Sequence, residues 1–456
     1  MHTVKRRLKS SKAFMSGIGM LLVLALLAAC NDTTTVKPAP TALPIQFTAL
    51  NLGIPAVALN APVTGNVPDA QILHVGVSFK LNQDVMNKLK QQKAKKGTNS
   101  DVTGIANQLG ITDQEYQHFK SYFGIENATL TLNKLHTYMN VDAKASTFAK
   151  LLQTRFLMHK LNNKTFFTPD PSMPPKLPSA IASQILTVTG LDNYGTQQKI
   201  GSAFTPAVAS LPHVMQRVTR STRSSAQTTT RKAASDCTVD PNTLSMQQIA
   251  HAYGYDAYWQ QGFHGENMTV NLVEIDGFNP DDVLNYFSCF NVSQDNLKVI
   301  NVDGAPASAE GETNLDIDMI AGLVPAAMIN DYQVGQPTSN DINDALQQII
   351  NDNANNTNTA SVVSISLGAA ENGTDPSMLT AIDSSLQQLT QVEHMTVFVA
   401  TGDCAAFADG NYNELSVNFP ASDPYAVAVG GTELQVNENG SRNQEVVWSD
   451  GTDQNT

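Results

Sequence analysis

Strand-like and helix-like segments alternate along the second half of the chain, and this alternation constrains the fold more than any other feature. Apolar runs of strand length are separated by segments in which apolar residues recur at helical spacing. The strand-like runs are 268–275, 297–302, 326–334, 361–368, 395–400 and 426–429, and the helical segments are 281–289, one from 312 onwards, 342–350 and 376–389. The pattern predicts an α/β fold with a parallel sheet covered by helices on both faces. In such sheets the functional site lies at the carboxyl ends of the strands.

Acidic residues collect at this predicted site. Glu274, Asp276 and Asp403 lie at the ends of strand-like runs, and Glu312 and Asp316 lie four residues apart in a helical segment. That spacing puts both carboxylates on one face of the helix, where they cannot both ionise freely. One of them keeps a proton, and such a pair can act as a general base in acid. The alternative is that acids in a first helical turn only complement the helix dipole.

The charges are divided unevenly between the two halves of the chain. Residues 1–236 hold 26 of the 28 Lys and Arg residues and 11 of the 41 acids, a net charge of +15. Residues 237–456 hold Lys298 and Arg442 against 30 acids, a net charge of −28. The acidic half is unsuited to nucleic acid, because phosphate binding needs clustered basic side chains. The basic half could be a nucleic-acid arm or an electrostatic partner for the acidic half, and its scattered basic residues favour the second.

Residues 1–30 have the pattern of an export signal. Basic residues precede an apolar run, 20–29, that is too short to span a bilayer as a mature helix. The run ends in Leu27-Ala28-Ala29-Cys30, which resembles the bacterial lipoprotein box, in which the cysteine becomes the lipidated first residue. The alternative is an ordinary secretory signal with a chance cysteine. We expect an exported protein, anchored to the membrane through lipidated Cys30 or extracellular after processing, with residues 31–69 as a flexible tether.

Export determines how the remaining cysteines are interpreted. Disulfides persist outside the cytosol, and the three cysteines Cys237, Cys289 and Cys404 cannot all pair with one another. We expect a Cys237–Cys289 disulfide and a free Cys404. The spacing of the cysteines fits no zinc motif, so they predict no metal site.

Residues 70–200 are predicted to form a mixed α+β domain, and residues 201–236 a basic linker. The domain has strand patterns at 71–81, 128–132 and 163–168, helical patterns at 146–158 and 181–191, and a proline-rich segment, 169–178, that should end the packed part. The linker has little apolar periodicity and is expected to be exposed and cleavable. A basic domain, a cleavable linker and an acidic domain together suggest a zymogen, whereas a plain interdomain linker is the alternative.

Four stretches in the second half carry a resemblance to a known family. They are Glu312-Thr313-Asn314-Leu315-Asp316, Val363-Ser364-Ile365-Ser366-Leu367-Gly368, Phe398-Val399-Ala400-Thr401-Gly402-Asp403, and Phe419-Pro420-Ala421-Ser422-Asp423-Pro424-Tyr425 with Val429-Gly430-Gly431-Thr432. In this order and spacing they resemble motifs of the sedolisin family of serine-carboxyl peptidases. The resemblance runs from about Cys237 to Trp448, within a catalytic domain expected over 237–456. It extends more loosely to residues 70–192, within an activation prodomain expected over 70–200.

The resemblance implies a subtilisin-like parallel sheet, preceded by a ferredoxin-like prodomain that inhibits the enzyme, and an acid endopeptidase acting on peptides or proteins. By motif position, Glu312 would be the general base, Asp316 would hold and tune it, and Glu274 would match an acid behind the pair in some members. Asp403 would help form the oxyanion hole, donating a hydrogen bond while protonated. A carboxylate base suits acid conditions, where a histidine would be protonated.

The sequence departs from the family pattern in two respects. Leu367 stands where the family has a tryptophan, and the S-G-T-S-x-x-x-P motif that carries the nucleophile does not occur. Ser422 and Ser449 lack the glycine turn that exposes a nucleophile, so no serine of this chain is assigned that role. The calcium expected from the family has its site in the same missing C-terminal part. The sequence, which ends at Thr456, is therefore expected to be a truncated precursor that is inactive on its own.

Two other classes of function compete with a protease precursor. A histidine-based subtilisin is disfavoured, because none of the histidines after residue 237 begins a glycine-rich helix. A catalytically inactive, lipid-anchored binding protein on a protease scaffold is the stronger alternative. A protease requires the nucleophile segment to be encoded downstream, whereas a binding protein requires a natural stop and tolerates Glu312→Ala.

Overall fold

The computed structural model describes residues 45–91, 102–124, 127–195, 244–306, 309, 311–335, 339–354, 360–408 and 414–447. The predicted export signal, Cys30, the linker 201–236 and Cys237 lie outside these residues. Ile45–Thr456 belongs to one compact unit, so both halves of the chain are parts of the same body. Among the described helices, none is both long enough and apolar enough to cross a membrane.

The first half is built from short strands and helices, and a four-stranded antiparallel sheet lies at its centre. The elements are β1 Phe47–Ala49, α1 Ala56–Leu59, β2 Val63–Asn66, β3 Ile72–Phe79, α2 Gln83–Gln91, α3 Ala106–Leu109, α4 Asp113–Phe123, β4 Thr129–Leu132, β5 Tyr138–Lys144, α5 Ala145–Leu151, β6 Phe156–Leu161, β7 Lys164–Pro169, β8 Lys176–Pro178, α6 Ser179–Ala182 and β9 Ile185–Thr189. The central sheet has the order β4-β5-β3-β9. Aromatic and aliphatic side chains from these elements bury a shared core, as the predicted α+β domain requires.

Three of the sequence predictions for the first half are wrong. The structured part of the predicted tether 31–69 pairs with distant strands, β1 with β8 and β2 with β6. The predicted helix 146–158 ends early, at Leu151, and its second part is strand β6. Residues 176–189 remain packed, because β8, α6 and β9 follow the proline-rich segment where one helix, 181–191, was predicted. Each error comes from strand pairing between distant residues, which overrides the local pattern.

The second half contains the predicted alternation of strands and helices. Its elements are α7 Met246–Ala252, α8 Tyr255–Trp259, β10 Thr269–Glu274, α9 Pro280–Phe290, β11 Leu297–Val302, α10 Glu312–Leu323, β12 Met328–Val334, α11 Ser339–Asn353, β13 Ala360–Ile365, β14 Ala369–Ala370, α12 Pro376–Gln391, β15 Thr396–Ala400, β16 Asn418–Phe419, β17 Val427–Val429, β18 Thr432–Val436 and β19 Arg442–Val447. Six strands form one sheet in the order β11-β12-β10-β13-β15-β17. Every neighbouring pair is parallel, which confirms the predicted fold class.

Helices cover both faces of the parallel sheet at its middle strands and leave the side chains at one edge partly exposed. Leu272 of β10 packs with α9 and α10, and the next residue, Val273, packs with α11 and α12 on the opposite face. On the outer strands the apolar side chains of Phe398, Val427 and Val429 remain 37%, 44% and 45% exposed. The predicted cover is therefore present over the middle of the sheet and incomplete at the β15–β17 edge.

The two halves meet along α11 and α12. Leu81, Met86 and Leu109 of the first half share an apolar cluster with residues of these helices. Amide and hydroxyl groups add hydrogen bonds across the junction: Asn133 Nδ2 donates to Gln347 Oε1 at 2.8 Å and Thr137 Oγ1 donates to Gln388 Oε1 at 2.6 Å. Both bonds are buried, so separating the halves would leave polar groups without partners until water reached them.

Candidate active site

Helix α10 begins beside the end of β10, and Asp276 holds it there. Gly311, the residue before the helix, has φ +112° and offers no capping side chain. Asp276 takes that place by accepting hydrogen bonds from the backbone N–H of Gly311 at 3.1 Å and of Thr313 at 3.3 Å. These are N–H groups that have no partner within the helix. The contact fixes the start of α10, and with it the position of Glu312, at the carboxyl edge of the sheet.

The carboxyl groups of Glu274 and Asp316 lie together behind this helix start. They share a hydrogen bond, and Asp316 Oδ2 also accepts one from the hydroxyl of Ser366, just after β13. Burial, followed by the charge of Asp316, raises the pKa of Glu274 well above its usual range. Burial also raises the pKa of Asp316, against the lowering effect of Ser366. The pair therefore shares a proton, since two buried carboxylates this close cannot both be charged.

Glu312 lies one helical turn before Asp316, in front of the pair. Burial, followed by the charges of Asp316, Asp276 and Asp403, raises the pKa of Glu312 to about 7. The change from carboxylic acid to carboxylate therefore falls near neutral pH in this fold. Glu312 is a group that can exchange a proton, as the spacing in the sequence predicted.

Asp403 follows β15 in a turn at the same edge of the sheet, and its side chain is exposed. The turn is fixed by Gly402, which has φ +86° and where a Cβ would come within 2.0 Å of Asn418 Nδ2. Asn418 in turn donates a hydrogen bond to the Thr401 carbonyl at 2.6 Å. Because the charge of Asp403 contributes to the raised pKa of Glu312, the two carboxyl groups face the same space.

The four predicted acids Glu274, Glu312, Asp316 and Asp403 thus converge, and two further residues join them that the motifs did not single out. Asp331, in the middle of β12, is fully buried, and burial raises its pKa to about 7. Thr313 donates a hydrogen bond to the Asp276 carbonyl at 2.9 Å and is also fully buried. An acid in the middle of a strand that was predicted to be covered on both faces was the signal that could have identified Asp331 from the sequence.

Two residues of the family motifs have local roles. Leu367 is buried and lines a small apolar cavity with Ile342 and Ile382, so it fills space where the family has an aromatic ring. Ser422 donates a hydrogen bond to Glu371 Oε2 at 2.5 Å, and Glu371 is not one of the acids of the cluster. Of the cysteines, Cys404 is free, as expected, and Cys289 is disulfide-bonded.

Among the described residues, the candidate metal-binding group was compared with the ligand set that calcium requires. Calcium takes six to eight oxygen ligands in flexible shells, at about 2.3–2.6 Å. The group of His and acid residues that could hold a metal ion in the described part of the chain is His74, Asp303 and Asp344, and it contains an imidazole. That ligand set does not fit the all-oxygen calcium shell, and no step of the chemistry is assigned to calcium.

Comparison with known proteins identifies the relatives of the chain. No family model matches it. Kumamolisin from Bacillus sp. (strain MN-32) is 30% identical over 222 residues, 47% of this chain and 38% of that protein. Sedolisin from Pseudomonas sp. (strain 101) is 23% identical over 408 residues, 84% of this chain and 63% of that protein. Xanthomonalisin from Xanthomonas sp. (strain T-22) is 22% identical over 357 residues, 72% of this chain and 40% of that protein. The chain is similar in sequence to these three proteins, in line with the predicted resemblance to the sedolisin family.

Its overlap with these sedolisin-family proteins is partial, because the chain spans less than two thirds of the length of each of the three. Among solved structures, Pseudomonas sedolisin, a serine-carboxyl proteinase complexed with two molecules of pseudo-iodotyrostatin, matches at a TM-score of 0.38 and 24% identity. The match covers 45% of this chain and 58% of that one. The parallel sheet of this chain is established by its own strand pairing.

Proposed function

We propose that the chain is part of an exported serine-carboxyl endopeptidase zymogen. The observation that carries the proposal is the convergence of Glu312, Asp316 and Glu274 around a shared proton at the carboxyl edge of a parallel sheet. Structural acids at a helix start need no such burial, because water stabilises them as carboxylates. The similarity of the chain to kumamolisin and sedolisin supports the same chemistry.

Each acid of the cluster has a proposed role. Glu312 accepts the proton of a serine nucleophile as that serine attacks the peptide carbonyl. Asp316, held by Ser366 and backed by Glu274, fixes the orientation of Glu312 and keeps its affinity for the proton high. Asp403, in the protonated form, donates a hydrogen bond to the developing oxyanion.

The nucleophile is the component that the mechanism still requires. The printed sequence contains no S-G-T-S-x-x-x-P segment, so a serine outside it has to complete the site. The exposed apolar side chains on β15 and β17 support this, because an incomplete sheet cover leaves a surface on which more polypeptide can pack. Calcium is proposed to bind in the same additional segment.

The proposed base has a pKa of about 7, which keeps Glu312 protonated in acid. A base must be ionised to accept a proton, so activity in acid requires the pKa to fall when the site is completed or opened. The pH profile of kcat/KM reports this value directly. An acidic limb well below 7 would show that the pKa falls in the working enzyme.

Residues 70–200 are proposed to act as the inhibitory prodomain. Cleavage in 201–236 would separate this prodomain from the catalytic domain, and lipidated Cys30 would anchor the uncleaved chain to the membrane. The docking of the first half on α11 and α12 supports a prodomain that stays bound until the linker is cut. The positive charge of the first half against the acidic second half adds attraction that acid weakens by protonating carboxylates.

The deciding experiment begins with sequencing the gene across the codon for Thr456. A continuation that encodes S-G-T-S-x-x-x-P is then expressed with the chain and assayed on a denatured protein substrate before and after cleavage of 201–236. We expect activity after cleavage, lost about 10²-fold or more in Glu312→Gln and retained in the exposed control Glu414→Gln. A continuation that is active with Glu312→Gln would refute the role of Glu312.

A binding protein on the same scaffold is the second candidate, and one observation favours it. Leu367 fills with aliphatic packing a position that is aromatic in the family, and the nucleophile motif does not occur in the printed sequence. A natural stop after Thr456, together with a Glu312→Ala variant that still folds and is tolerated by the protein, would favour the binding protein over the peptidase.

A further inference from the structure

A second cluster of ligand-type side chains, none of which belongs to the acid cluster, lies at the junction of the two halves. His74 is on β3 of the first half, Asp303 directly follows β11, and Asp344 is on α11. One ligand atom from each lies within 4.8 Å of the others. Metal–ligand bonds to imidazole and carboxylate are about 2.0–2.2 Å long, so two ligands of one ion lie at most about 4.4 Å apart, and a small movement of these side chains would bring all three donors onto one cation.

The imidazole of His74 is already oriented as a ligand would be. Its Nδ1 lies 2.6 Å from Asp142 Oδ1, on the neighbouring strand β5, and its Nε2 lies 3.0 Å from Asp344 Oδ2. A carboxylate that accepts the Nδ1 proton leaves the Nε2 lone pair for a metal, and this arrangement supports most metal-binding histidines.

The carboxylate of Asp344 is oriented in the same way. Its side chain is only 3% exposed, and the hydroxyl of Tyr138 donates to its Oδ1 at 2.6 Å. Oδ2 therefore points towards the imidazole with its own lone pairs available. Asp303 is exposed, so the third donor is at the water side of the cluster, where an ion could enter and keep water ligands.

The charge of the cluster also favours a cation. Asp142, Asp303 and Asp344 bring three carboxylates to one imidazole, and even a protonated imidazole leaves a net negative charge. A divalent ion that replaces the Nε2 proton adds one positive charge while keeping the Nδ1–H···Asp142 hydrogen bond. The exchange is balanced, because the proton that leaves Nε2 goes to solvent as the metal–nitrogen bond forms.

We propose that His74, Asp303 and Asp344 bind one divalent transition-metal ion of the zinc type, which fastens the first half of the chain to the second. The imidazole favours such an ion over magnesium or calcium, which prefer oxygen ligands alone. The site is independent of the proposed peptidase activity, because none of its residues belongs to the acid cluster. It would make the docking of the two halves dependent on metal as well as on apolar packing.

The test measures Zn²⁺ binding to the full-length chain, expressed without a histidine tag and freed of metal with a chelator. Isothermal titration gives the stoichiometry, and thermal unfolding with and without Zn²⁺ gives the stabilisation. Co²⁺ in place of Zn²⁺ provides a visible absorption spectrum that changes when an imidazole becomes a ligand. The variants are His74→Gln and Asp303→Asn. The control is Asp295→Asn, because Asp295 is an exposed acid that lies just before the start of β11.

We expect one saturable site in the unmodified chain and in Asp295→Asn, and at least about a tenfold weaker affinity in both site variants. Asp303 is exposed, so Asp303→Asn should fold normally and its loss of binding cannot be attributed to unfolding. Absence of saturable binding to the folded chain would overturn the proposal. Unchanged affinity in Asp303→Asn would also overturn it, and would leave His74 as a protonated bridge between Asp142 and Asp344.

Discussion

Single residues at the sheet edge differ in how much of their chemistry comes from burial and how much from neighbouring charge. Burial is the largest cause of the raised pKa of Glu312, and the carboxylate of Asp316 is the next. For Asp316 itself, the hydrogen bond from Ser366 works in the opposite direction. The raised pKa of Glu312 therefore depends on the helix spacing that places Asp316 beside it, and the pKa of Asp316 depends also on a hydroxyl that follows β13.

We predict that Asp316→Asn lowers the pKa of Glu312. The amide keeps the size of the side chain and removes the nearest negative charge, which penalises ionisation of Glu312. The pKa of Glu312 can be followed by NMR of ¹³C-labelled carboxyl groups in the full chain. Asp403→Asn is the matched comparison and should lower the pKa by less, because Asp403 is the weakest of the three charges that raise it. An unchanged pKa in Asp316→Asn would show that burial alone sets the value.

At the scale of the elements, the start of helix α10 is the feature on which the site depends. Gly311 has φ +112°, a conformation that L side chains rarely adopt, and Asp276 caps the helix in place of a local side chain. We predict that Gly311→Ala lowers the free energy of unfolding by about 1–2 kcal/mol. A Cβ at Gly311 would meet open space, so the cost comes from the backbone alone.

The measurement for Gly311→Ala is urea unfolding followed by circular dichroism. Gly104→Ala is the control, because a Cβ there also meets open space and its φ lies outside the left-handed region. That control should be neutral or slightly stabilising, since alanine restricts the unfolded chain. Equal effects of the two substitutions would mean that the backbone at Gly311 relaxes without strain.

The elements also show where sequence is sufficient to predict structure. In the second half the six strands of the parallel sheet and helices α9 to α12 were predicted to within a few residues, because a parallel sheet repeats one local pattern of apolar strand and amphipathic helix. The short elements α8, β14, β16, β18 and β19 were not predicted. In the first half, 146–158 and 181–191 carry apolar spacing that suits a helix, yet α5 ends at Leu151, Gln153 follows with φ +54°, and β6 pairs with β2 and β7. The local spacing of apolar residues does not reveal which distant strands will pair.

The candidate site divides in a similar way between predictable and unpredictable parts. Glu312 and Asp316 were identified from their spacing, and Glu274 and Asp403 from their positions at strand ends. The contacts of Asp276, Thr313 and Ser366 depend on how β10, α10 and β13 are placed together. Such contacts form between elements, so spacing along one element cannot reveal them.

At the scale of the whole molecule, buried acids link stability to pH. Burial is the largest cause of the raised pKa values of Glu312, Asp331 and Glu393, each to about 7, and of Asp192, to about 8. Their ordinary values are 4.5 for Glu and 3.8 for Asp. The folded chain therefore holds these protons more tightly than the unfolded chain does. Their contribution to stability is complete below about pH 4 and is lost as the pH rises through about 7–8.

We predict that the chain unfolds more easily at about pH 8 than at about pH 5, and that Glu393→Gln reduces this difference. Glu393 is 4% exposed and accepts a hydrogen bond from Asn353, which the amide oxygen of Gln can also accept without ever ionising. Urea unfolding at both pH values gives the free energies. Because one pKa unit is worth about 1.4 kcal/mol, the variant should lose about 2–3 kcal/mol less than the unmodified chain between them. Glu438→Gln, exposed in the turn between β18 and β19, should keep the original difference. If Glu393→Gln kept it as well, the folded chain would accommodate the Glu393 carboxylate at neutral pH, and burial would not be the cause of the pH dependence.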